Sequence, residues 1–210
     1  MARKKTLRTN LHPYHITTRS NLKTWFSLPL SEIWILAKTC FSKALQKYPA
    51  NIHAFVLMDN HYHLVIETPH EDIDKFMYEF NKNFSLGLRE KSGHINKMFG
   101  SRYRWSLITN RQHYFQVMKY VFRNPVKAKK VSLCESYLYS SLKANVFEIK
   151  TGPYIDIRNS GFIRWINHSH TEEQNESIKK GLVKTNFDYS GSREVRCAPG
   201  FEKVDWSSGT

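Results

Sequence analysis

Three observations predict an α+β fold of the ferredoxin-like, split βαβ type. Apolar periodicity runs in the order strand, helix, strand, strand, helix, strand. Only Asp59-Asn60-His61 separate the second and third strand segments, so those two form a tight hairpin. A further amphipathic stretch follows the fourth strand, and a sheet with two helices on one face leaves its other face open to receive it.

Residues 13–19 are rich in β-branched and aromatic types and predict the first strand. Ser31 and Glu32 open a helix whose apolar positions, Ile33, Ala37, Cys40, Phe41, Ala44, Leu45 and Tyr48, recur at helical spacing until Pro49. Ile52–Met58 and Tyr62–Thr68 are the hairpin strands. Glu71, Asp72 and Asp74 suit the positive end of a second helix, with Ile73, Phe76, Met77, Phe80, Phe84 and Leu88 on one face. Gly93 and Gly100 punctuate a loop before a fourth strand over 102–109. Residues 111–123 predict a third helix with Tyr114, Val117, Met118 and Val121 as its stripe, stopped by Pro125. Beyond residue 131 the signals weaken, and 167–180 suggest a linker or a solvated helix. The organisation is a basic arm (1–10), a main domain (11–142) and a C-terminal extension (143–210).

The chain has 210 residues, 40% of them hydrophobic and 14% aromatic, enough for a core, which excludes wholesale disorder. No apolar run approaches the roughly 20 residues that span a bilayer, and the basic start lacks the apolar stretch of a secretory signal. The expectation is a cytoplasmic protein with no membrane partner. Cys40, Cys134 and Cys197 are too few and scattered for a disulfide framework or zinc site. The net charge is +14, and it is segregated: residues 1–130 hold 22 basic and 8 acidic side chains, whereas 131–210 hold 10 of each. A polyanionic partner therefore belongs on the first segment.

His61-Tyr62-His63 is the sharpest local feature. Alternation along a strand puts both imidazoles on one face, with Tyr62, Leu64 and Ile66 facing the covering helices. Two such imidazoles can bind one divalent metal, although ordinary polar-face histidines give the same pattern. Tyr120 and Asn124 lie one turn apart on the third helix, off its apolar stripe. An Asn124 amide oxygen would complete a two-nitrogen, one-oxygen site beside the Tyr120 phenol. The ordinary alternative is an amphipathic tyrosine and a helix-terminal asparagine. Its position before Pro125 puts Asn124 at the last turn, with its side chain displaced.

Val56-Leu-Met-Asp-Asn-His-Tyr-His-Leu-Val-Ile-Glu-Thr-Pro69 resembles the HUH strand of single-tyrosine transposases of the IS200-like family. Tyr120-Val-Phe-Arg-Asn-Pro-Val-Lys-Ala128 resembles the catalytic helix of their REP-associated branch, and Tyr14–Arg19 and Tyr137–Leu142 match that branch in type. The resemblance covers about residues 10–142 and implies that residues 11–142 are a catalytic domain. It implies that His61 and His63 are metal ligands, that Tyr120 is the nucleophile, and that Asn124 is a third ligand where some members carry glutamine. The implied reaction cuts and rejoins single-stranded DNA beside hairpins through a 5′-phosphotyrosine, with Mg²⁺ or Mn²⁺ and no organic cofactor. Tyr114 and Tyr103 are poorer nucleophile candidates. Relaxases carry similar residues, but their tyrosine commonly precedes the histidines.

Lys119, Arg123, Lys127, Lys129 and Lys130 crowd the segment around the tyrosine with no acid among them and are expected to hold phosphates. Arg102, Arg104 and Trp105 set charge beside an aromatic, suiting backbone contact and base stacking. Arg3, Lys4, Lys5 and Arg8 suit an arm on DNA. The expected partner is hairpin-bearing single-stranded DNA, with nucleoid association in the cell, and a homodimer is left open. The competing reading is a catalytically silent DNA-hairpin-binding regulator, and a third is a metal-dependent hydrolase using water.

Overall fold

The computed structural model describes residues 6–143 and 156–189. Four strands, β1 (Tyr14–Arg19), β2 (Asn51–Leu57), β3 (His61–Glu67) and β4 (Arg104–Leu107), form one sheet in the order β2-β3-β1-β4. Every pairing is antiparallel. Helices α1 (Leu30–Lys47) and α2 (Ile73–Ser92) are the crossovers, and α3 (Arg111–Lys127) follows β4. The expected split βαβ order is the observed one.

Alternation sorts the strands into two cores. Tyr14, Ile16, Tyr62, Leu64 and Ile66 pack against Phe41 of α1 and Phe76, Phe80 and Phe84 of α2. Phe41 and Phe80 stack with centroids 4.1 Å apart. Each buried phenylalanine contributes about 1.5–3 kcal/mol of burial free energy. On the other face Ala54, Val56 and Val65 meet Val117, Met118, Val121 and Phe122 of α3. The third helix thus lies on the open face.

Two elements differ from expectation by more than a residue at an end. Strand β4 is shorter than 102–109 at both ends; past the Tyr14–Leu107 pair Ile108 N still donates to Pro13 O, but Pro13 has no N–H to return the bond. Helix α3 does not stop before Pro125 but runs through it to Lys127. The proline leaves the Val121 carbonyl without its usual donor, and the Asn124 side chain takes that place. Its Nδ2 donates to Tyr120 O at 2.8 Å and to Val121 O at 3.4 Å. The chain then turns at Lys129, whose φ is 56°.

The C-terminal extension adds α4 (Ser160–Asn167) and α5 (Glu172–Gly181). Ile157, Phe162, Ile166, Ile178 and Phe187 join the α3-side core, so within its described residues the extension is packed rather than appended. Helix α5 occupies the stretch that the sequence left between linker and helix. Both outer sheet borders are covered by later chain, one by the end of the main domain and the other by the extension. Leu57 N donates to Tyr139 O and Ser141 N to Phe55 O, while Leu107 N donates to Thr185 O and Phe187 N to Leu107 O. Cys40 and Cys134 are buried free thiols, and Cys197 lies outside the described residues. Among the described residues no helix is long and apolar enough to cross a membrane.

Candidate active site

The two histidines sit on β3 facing α3. Their rings are roughly perpendicular, with centroids 5.1 Å apart. Each has one ring nitrogen already engaged. His61 Nδ1 lies 2.7 Å from Asn60 Oδ1, and because that oxygen only accepts, the proton sits on Nδ1 and Nε2 is bare. His63 Nδ1 lies 2.9 Å from Nε2 of His15, whose ring stacks on it at 5.2 Å. When His63 donates in this bond, its Nε2 is bare as well. Burial pulls the His61 pKa down to about 4, Arg19 adding to the effect. Burial, then the neighbouring His15 and His61, holds that of His63 well below the ordinary value. Both imidazoles are therefore neutral at physiological pH and offer lone pairs.

Tyr120 reaches the same place from α3. Its ring stands edge-on to His63 with centroids 5.7 Å apart and an interplanar angle of 89°, and lies 6.4 Å from His15. Burial raises its phenol pKa, while the positive charges of Lys179 and Arg19 oppose that rise. Asn124, one turn on, has its Nδ2 committed to backbone carbonyls, which leaves Oδ1 as its free donor atom. His15, His61, His63, Tyr120 and Asn124 all line one cavity of about 560 Å³, together with Arg19, Arg102, Arg104 and Lys179.

Two neutral imidazoles and an amide oxygen on one cavity are a donor set of the kind that can hold a divalent cation with positions left open for other oxygens. The contacts at His61 Nδ1 and His63 Nδ1 are of the kind that orient a histidine ring toward a ligand. Among the described residues there is no cluster of three or more His, Cys, Asp or Glu that could hold a metal.

The expected basic residues divide. Arg102 and Arg104 line the cavity. Arg102 also bonds Thr6 and lies over the Tyr103 ring at 5.1 Å. Trp105 is buried against Tyr14 in the helix-side core, so its indole is a packing group more than a stacking platform. Lys119 is buried over the Trp165 ring at 4.6 Å. The Arg123 guanidinium donates to Ile166 O at 3.1 Å and Asn167 O at 2.6 Å, closing the C-terminal end of α4. Lys127 pairs with Glu172, Lys130 with Asp59 and Arg8 with Asp74. Lys129 is exposed. Arg3, Lys4 and Lys5 lie outside the described residues. Tyr114 is turned into the core, its hydroxyl 2.7 Å from His53 Nδ1, and Tyr103 is likewise buried.

Sequence reasoning missed His15 and Lys179. Alternation in β1 was the signal for His15, since Tyr14 and Ile16 face the helices and His15 must face the other way. Lys179 carried no signal, lying in a polar stretch with no apolar pattern to orient it.

The family model of IS200-like transposases matches residues 9–124, a span that contains both histidines, Tyr120 and Asn124. The chain belongs to the IS200-like transposase family. Among solved structures, this transposase is similar to a REP-associated tyrosine transposase bound to a REP hairpin. The two are 18% identical, with a TM-score of 0.57, covering 74% of this chain and 99% of the other. That likeness establishes a shared fold. A second similar structure is a transposase candidate from Deinococcus radiodurans R1, 14% identical with a TM-score of 0.40, covering 58% of this chain and 94% of that one. No curated protein matches the chain.

Proposed function

We propose that this transposase cuts and rejoins single-stranded DNA beside a hairpin, with Tyr120 as nucleophile. The observation that carries the reading is the approach of the Tyr120 ring to His63 across one cavity, from an element separate from the histidine strand. Tyr120 Oη attacks the scissile phosphorus and the P–O3′ bond breaks. The new Oη–P bond joins the tyrosine to the phosphate, which keeps its bond to the 5′ oxygen of the DNA. The 3′ oxygen takes up a proton, and the phenolic proton passes to solvent. A DNA 3′-hydroxyl reverses the step, so the bond energy is retained without ATP or an organic cofactor. Nε2 of His61 and His63 and Oδ1 of Asn124 would hold Mg²⁺ or Mn²⁺, whose role when bound is to polarise the scissile phosphate as a Lewis acid. His15 and Asn60 keep the two imidazoles in the tautomer this needs. Arg19, Arg102 and Arg104 supply positive charge around the phosphodiester. A hairpin substrate is supported by the branch resemblance and by the REP hairpin bound to the solved relative.

The test is incubation with hairpin-bearing single-stranded oligonucleotides and Mn²⁺, followed by denaturing electrophoresis. A covalent protein–DNA band is expected, lost in Tyr120→Phe while hairpin binding persists. Cleavage that survives Tyr120→Phe overturns the nucleophile. Cleavage without a covalent band supports a water-using hydrolase, and binding without cleavage a silent regulator.

A further inference from the structure

We propose that Lys179, carried by α5 in the C-terminal extension, is a phosphate-binding residue of the same active site. This rests on the reading that Tyr120 cuts a phosphodiester. The family match ends at Asn124, so α5 lies outside it. Yet Lys179 and Leu182 line the cavity that holds His61, His63 and Tyr120, and Asn175 lines the adjoining groove with Tyr120 and Asn124. These three share one face of α5 at helical spacing, while Ile178 points into the α3-side core.

The helix is fixed at both ends. Thr171 and Gln174 form a reciprocal capping box at its start. His170 Nε2 donates to Gln116 Oε1 of α3 at 2.9 Å, tying the entry to the nucleophile's own helix. At its end Gly181 passes so close to the next segment that a Cβ there would lie 2.3 Å from Asp188 O. That segment is in turn bonded to Leu107 of β4. Lys179 is thus held over the site by a braced scaffold.

The present partner of Lys179 is Glu176, one turn earlier. Side chains of the pair are 42% and 49% exposed, and such surface pairs are worth about 0–1 kcal/mol. A phosphate entering the cavity can displace the carboxylate at little cost. Glu176 thereby parks the ammonium until DNA arrives.

The test compares Lys179→Gln, Lys179→Arg and Glu176→Gln in the full chain with hairpin-bearing single-stranded oligonucleotides and Mn²⁺. Covalent-adduct formation is expected to fall about 10- to 100-fold in Lys179→Gln. It should stay within about 3-fold in Lys179→Arg and equal or exceed the parent in Glu176→Gln. In a Tyr120→Phe background, Lys179→Gln should weaken binding of the native flank but not of a flank with a neutral methylphosphonate at the scissile position. An unchanged adduct rate in Lys179→Gln overturns the proposal. So does an equal loss in Glu176→Gln, which would make the ion pair merely structural. Absence of an adduct from the parent chain instead removes the cleavage reading, and the methylphosphonate comparison then decides Lys179 by itself.

Discussion

Replacing His15 by Phe tests the hydrogen bond proposed to orient His63. Phenylalanine has similar bulk and can keep the 5.2 Å ring stacking, but it has no nitrogen to meet His63 Nδ1. The lost bond leaves a buried polar atom unpaired, at a cost of about 1–3 kcal/mol. For a chain of this size that lowers the melting temperature by about 2–12 °C. The larger effect is on metal binding. Losing an outer hydrogen bond to a ligating histidine costs about 10- to 100-fold in affinity, or about 1.4–2.8 kcal/mol. Calorimetric titration with Mn²⁺ reads the second effect, and thermal melting in chelator reads the first. Hairpin binding, proposed to rest on the basic surface, should be unchanged. Mn²⁺ affinity within about 2-fold of the parent, alongside a lowered melting temperature, would refute the orienting role and leave His15 as packing.

Lys119 is buried with its pKa pulled down to about 8, mainly by desolvation and then by Arg123. Lys119→Met should raise stability by up to about 3 kcal/mol at pH 7 in urea unfolding, with hairpin affinity unchanged; a clear loss of affinity would restore it as a DNA contact. Gly181→Ala drives a methyl group into the Asp188 carbonyl and should cost about 1–3 kcal/mol of stability. Limited proteolysis should show the 182–189 strap released, and an unchanged digestion pattern would count against the bracing of α5. In metal-free protein, His15 and His61 have pKa values lowered to about 3 and about 4, so the fold keeps them neutral while the unfolded chain takes protons. Stability is full above pH about 6.5 and falls on acidification toward those values, by about 1.4 kcal/mol per pH unit for each group. Urea midpoints flat from pH 7 to 4.5 would contradict this.

Much of the arrangement was legible in the residues. The alternation of Tyr62, Leu64 and Ile66 against His61 and His63 fixes which face meets the helices, and the spacing of Tyr120 and Asn124 places them together on α3. What stayed hidden depends on distance across the chain. His15 meets His63 only because β1 pairs with β3 in the register Thr17–His63, which no local pattern encodes. The helix-breaking rule for Pro125 fails because the Asn124 amide supplies the missing donor within the last turn. Counting charge around Tyr120 could not show that Lys119 lies on Trp165 or that Arg123 closes α4, since their partners come from beyond residue 160. For the same reason Lys179 stood out only once α5 had a position.

The occupied borders of the sheet constrain assembly. From Phe55 to Leu57 on one side and at Leu107 on the other, the outward main-chain groups bond to the protein's own later segments. An edge so occupied offers no template for strand addition. Two copies of this transposase could not merge those stretches into a continuous sheet without first peeling away the Tyr139–Ser141 or Thr185–Phe187 segment. Self-association at these borders would have to proceed through side chains, or begin with an exchange of those segments between chains.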